Sequence, residues 1–170
     1  TIEGPRLVRM LERLVTATKL LTRIERRGTP SQVARILLDA GVRDTAVFRD
    51  RERLHEILDR VREHAPDAFL EKDEEHGVFE LVFQRKDDRG EREVRLGEDF
   101  VTTAEYRGLA GSWEEFAELD RAPVTIVDGG ETTVSGRNDL VARILAEGKK
   151  GLTISRYKGL GEMNAEELWE

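Results

Sequence analysis

Apolar positions follow two periods along this chain, and the change from one to the other divides it. Leu7, Met10, Leu14, Ala17, Leu21 and Ile24 recur at alternating spacings of three and four, an a/d stripe along one face of a long helix. Gly4-Pro5 opens that helix, since proline is tolerated in a first turn, and Gly28 closes it. The stripe is shorter than a coiled coil normally uses, so packing on a parent domain is the expectation and a coiled-coil dimer the alternative. A second helix, Ser31 to Ala40, turns Val33, Ile36 and Leu37 inward and stops at Gly41. A third, from about Asp50 to Ala65, carries Leu54, Ile57, Leu58 and Val61 on one face, with Pro66 beyond its end.

From Ala68 the period becomes two. Ala68 to Lys72, Val78 to Lys86 and Glu91 to Leu96 read as strands, and the polar runs Asp73 to Gly77 and Asp87 to Gly90 read as the turns of an antiparallel meander. A helix is expected from about Thr103 to Leu119, broken near Gly111-Ser112, with Tyr106, Leu109, Trp113 and Phe116 as its apolar members. Val124 to Val127 and Thr132 to Val134 form a short hairpin. A last helix starts at Ser135 or Asn138, bears Leu140, Val141, Ile144 and Leu145, and ends at Gly148. Runs of helix around runs of strand make the fold class α+β.

Composition narrows the chemistry. The 170 residues suffice for a proper core, and 37% of them are charged, giving a formal net charge of -7. Without cysteine there is no disulfide framework and no thiolate metal site, which suits a reducing cytoplasm. No apolar run is long enough to span a membrane. His55 and His64 lie on opposite sides of one helix and His76 in a turn, so all three read as solvated. The acidic run Glu71, Asp73, Glu74 and Glu75 lacks the ligand spacing of a calcium loop and reads as a solvated turn. The net charge argues against general nucleic-acid binding by the body, yet from Lys149 to Lys158 every charged residue is positive: Lys149, Lys150, Arg156 and Lys158.

That basic segment leads into Arg156-Tyr157-Lys158-Gly159-Leu160-Gly161-Glu162-Met163-Asn164. Leu152 to Ser155 alternates apolar and polar like a strand, and Asn164 can cap a helix beginning Ala165-Glu166-Glu167. On such a strand Arg156 and Lys158 share one face and Tyr157 takes the other. Gly159 and Gly161 permit positive φ or close backbone approach, useful either for meeting a phosphate or for turn geometry alone. Neither a Walker-type phosphate loop nor a Ser/His/Asp set is present.

The run from Lys149 to Glu170 closely resembles the closing segment of the TOPRIM domain in the B subunits of bacterial type IIA topoisomerases, with Ala165 where proline is expected. Two weaker patches, Thr18 to Arg27 and Asp99 to Thr102 followed by Glu105-Tyr106-Arg107, resemble the long insertion that precedes this segment in the gyrase branch of many Gram-negative bacteria. The resemblance implies an insertion domain over residues 1–150, with its leading helix at about 5–27, and the returning end of TOPRIM over 151–170. The chain starts at Thr1 without methionine and stops inside a young helix, as a piece of a longer protein would.

The resemblance further implies that Arg156, Lys158 and Tyr157, helped by Lys149 and Lys150, contact DNA. Gly159 and Gly161 would shape the loop with Asn164, and Glu162 would orient its basic neighbours. Magnesium and ATP belong to the parent: the family's metal site needs a glutamate and an Asp-x-Asp pair, and the sequence contains no Asp-x-Asp. No catalytic residue is therefore expected in this chain, the DNA-linking tyrosine of the family lying on the other subunit. The implied partners are DNA, the A subunit of DNA gyrase and the rest of the B subunit. The alternative is a stand-alone, non-catalytic interaction domain that reuses a structural turn.

Overall fold

The computed structural model describes residues 2–87, 90–116, 119, 123–127 and 130–149. Helix α1 (Gly4–Arg27) uses the a/d stripe internally: Leu14, Ala17, Leu21 and Ile24 are buried against helices of the same chain, chiefly α5 (Ala104–Ala110), with α2 (Ser31–Asp39) and α6 (Arg137–Lys149) beside it. Leu14 is 2% exposed and Leu21 5% with no second molecule present, so neither a coiled-coil partner nor an outside domain is needed to cover that part of the stripe. Gly28 ends α1 at φ 121, with its amide donating to the Glu25 carbonyl and that of Thr29 to the Ile24 carbonyl. The paired bonds satisfy carbonyls the helix leaves open, a conformation that favours glycine.

A 3-10 turn (Thr45–Arg49), absent from the sequence expectations, follows α2 and buries Phe48. Asp44 caps it by accepting from the Ala46 amide. Asp50 then caps α3 (Arg51–Val61) by accepting from Arg53. The three-stranded meander is present as expected, β1 (Phe69–Asp73), β2 (Val78–Asp87) and β3 (Gly90–Leu96), all antiparallel in that order. Its inner face carries Leu81, Phe83, Val94 and Leu96 into the core, where β1 meets α3, β2 meets the 3-10 turn and β3 meets α4 (Glu98–Thr102). On the outer face Val82, opposite Phe69 and Arg95, is buried, and Arg95 is held by Glu71, Glu80 and Glu93.

The helix expected from about Thr103 begins there: Thr103, at ψ 147, lies outside helical geometry and its hydroxyl caps α5 at the Tyr106 amide, while the short α4 before it is absent from the sequence expectations. A second 3-10 turn (Trp113–Phe116) then replaces helix beyond Gly111. The hairpin β4 (Val124–Val127) and β5 (Glu131–Val134) precedes α6, which runs one residue past Gly148. The three histidines are exposed. Among the described residues no helix is long and apolar enough to cross a membrane.

Candidate functional site

The residues the sequence singled out lie at the edge of the described region. Lys149 ends α6, and only its backbone is described. Lys150, Arg156, Tyr157, Lys158, Gly159, Gly161, Glu162 and Asn164 lie outside the described residues. What the structure shows is the seat of the helix that leads to them.

Leu140 and Val141 of α6 are buried, and Ile144 packs against the same core. The first residue of the helix, Arg137, is 8% exposed. Its guanidinium carbon lies 4.1 Å from the centroid of the Trp113 ring, and Nη2 is 3.8 Å from Asp39 Oδ1. The same Asp39 oxygen accepts the Trp113 Nε1 proton at 2.6 Å. Arg35 of α2 donates to Asn138 Oδ1 at 2.9 Å, and the Ser135 amide donates to Asp139. The gap left among α1, α2, the Trp113 turn and α6 is about 10 Å³, roughly the volume of one water-sized probe.

Charge makes this seat specific. A cation at a helix N-terminus faces the positive end of the dipole, which costs a few tenths to about 1 kcal/mol. Asp39 and the Trp113 face offset that cost, because a ring face and a carboxylate both attract guanidinium in a partly desolvated place. In the sequence Trp113 reads only as an apolar residue, and Arg137 and Asp39 have no assigned role. An arginine opening a helix against its dipole was the available signal.

The two interior patches that carried the weaker resemblance meet in space. Leu20 of α1 lies against Gly108 of α5, where an added Cβ would stand 3.2 Å from Leu20 Cδ1. Arg27 Nη1 donates to Glu105 Oε2 at 2.8 Å. Tyr106, packed on Phe100 with ring centroids 5.0 Å apart, donates its hydroxyl to the Val42 carbonyl at 3.1 Å. Burial pushes this phenol well above its ordinary pKa, against the nearby positive charge of Arg43. It is a protonated structural donor. Among the described residues no group of three or more His, Asp or Glu side chains is placed to hold a metal ion.

A family model described as "DNA gyrase B subunit, carboxyl terminus" matches residues 149–170. The DNA gyrase B subunit of Caulobacter vibrioides is 42% identical over 98 residues, which cover 56% of this chain and 12% of that protein. Over these residues the chain is similar to DNA gyrase B subunits. The similarity reaches beyond the tail: the type 2 topoisomerase B subunit of Aquifex aeolicus is 24% identical over 125 residues, covering 72% of this chain and 15% of the relative. The DNA gyrase B subunit of Campylobacter jejuni is 24% identical over 151 residues, covering 74% and 18%. The chain thus spans less than a fifth of these gyrase-type relatives.

Proposed function

We propose that this chain is part of the B subunit of an ATP-dependent type II topoisomerase that negatively supercoils DNA, residues 1–150 forming an insertion domain and 151–170 the returning end of TOPRIM. The observation that carries the reading is the family match over residues 149–170, joined to relatives whose similarity extends across about three quarters of the chain. A structural turn reused by an unrelated interaction domain would match at the tail alone. Arg156 and Lys158 hold DNA phosphate with Tyr157, and Lys149 and Lys150 extend the basic surface toward α6. Gly159, Gly161 and Asn164 form the loop and Glu162 orders the cations.

The acidic body supports that segment without performing chemistry. The Arg137–Trp113–Asp39 group fixes the start of α6, so the body acts as a buttress for the helix that leads to the basic segment. Magnesium and ATP serve the parent through residues outside this chain. Its partners are DNA, the A subunit of gyrase and what remains of the B subunit, and the cytoplasm is its compartment. The reading frame around the segment tests this: it should continue upstream of Thr1 and encode Glu-Gly-Asp and Asp-x-Asp motifs. A frame that opens at Thr1 with neither motif would leave the interaction-domain reading in its place.

A further inference from the structure

On a chain of formal net charge -7, a surface groove among the described residues is lined without a carboxylate. It has a volume of about 510 Å³ and lies between α3 and the edge strand β1. Arg51, His55 and Arg62 line it from α3 at positions i, i+4 and i+11, a single helix face. Lys72 and its cross-strand partner Phe79 line it from the sheet. Leu58, buried, and Leu70, half-buried, give it an apolar floor. The carboxylates touching its rim belong to exposed pairs, Asp59 with Arg62 at 3.5 Å and Glu74 with Lys72 at 2.6 Å, and such pairs are held weakly enough to exchange for a ligand's carboxylates.

We propose that this groove docks a short acidic peptide segment of a partner protein, with carboxylates on the basic rims and an apolar side chain over Leu58 and Leu70. The length suits a linear ligand: Arg51 to Arg62 spans about 16 Å at the helical rise, the reach of about five extended residues. Charge selects an acidic one, because within a screening length of about 8 Å the local cations outweigh the molecule's net charge. The floor selects a peptide over nucleic acid. Phosphates gain nothing from leucine and phenylalanine, and a polyanion running past the groove meets an acidic surface.

The test uses the whole 170-residue chain and three labelled probes: a peptide of alternating glutamate and leucine, oligoglutamate of equal length, and a duplex DNA oligonucleotide. The alternating peptide should bind best, and its amide shift changes should centre on Leu58, Leu70 and Phe79. Arg51→Glu with Lys72→Glu should weaken it about tenfold or more, while the charge-matched pair Lys19→Glu with Arg60→Glu, off the groove, should change it less than about twofold. Arg51→Glu places a carboxylate in the first turn of α3, where the dipole favours it, so the fold is retained. The shift map on the unaltered chain decides the matter even if a variant melts early. No binding of the alternating peptide, equal binding of oligoglutamate, equal loss in both variants, or duplex DNA shifting the same residues more strongly would each overturn the proposal.

Discussion

Tyr106 shows how much one side chain does in this domain. Its ring is fully buried and its hydroxyl satisfies the Val42 carbonyl, so Tyr106→Phe removes a donor while keeping the shape. The expected cost is about 1 kcal/mol in denaturant-induced unfolding, the usual worth of a buried hydrogen bond. Because the folded pKa is raised, this contribution is complete below the ordinary phenol value and is lost as pH rises from there through the folded value. Asp73 behaves in the opposite sense. It accepts from the His76 ring and from the Glu75 and His76 amides, and those bonds, the His76 side chain first, hold its carboxyl below the usual carboxylate range. Its contribution is therefore present above the unfolded carboxylate value and lost as pH falls through the lower folded one. A carboxyl NMR titration should show the Asp73 pKa rising when His76 is replaced by alanine; an unchanged value would mean that the backbone amides alone set it.

At the scale of elements, the joints matter more than the interiors. Gly28→Ala would force an alanine to φ 121 and set its Cβ 3.1 Å from the Arg92 guanidinium, so it should destabilise the chain by more than about 1 kcal/mol in a thermal or urea melt. Trp113→Leu removes the face under Arg137 and the donor to Asp39. Amide exchange in α6 should then accelerate well beyond any change in the meander, and uniform acceleration would show that Trp113 serves the core rather than the seat. The a/d stripe of α1, the antiparallel meander and the stop at Gly28 were legible in the sequence because each rests on local period or local backbone need. Helix α4 was not, since its five residues are too few to show a helical period. Nor was the 3-10 turn that seats Phe48, whose burial depends on β2 arriving from elsewhere in the chain. The tail motif was legible as a family resemblance, but the Arg137 seat required Asp39, Trp113 and α6 to meet across long separations.

At the scale of the molecule, an acidic body leads to a basic segment from Lys149 to Lys158, and the two should behave differently toward DNA. The isolated chain is expected neither to cleave nor to relax supercoiled plasmid, with or without magnesium and ATP, because the required carboxylates and nucleotide motifs are not among its residues. Relaxation by the pure chain would contradict that. The most direct measurement compares Lys158→Glu with a charge change in the body, Glu74→Lys, in the full-length B subunit paired with the gyrase A subunit, reading DNA binding across a salt series together with supercoiling. Lys158→Glu should weaken binding, lower the salt slope by about one phosphate contact and impair supercoiling, while Glu74→Lys leaves all three near the parent values. Unchanged affinity, slope and supercoiling for Lys158→Glu would contradict a DNA-holding role for the segment and leave it a structural turn.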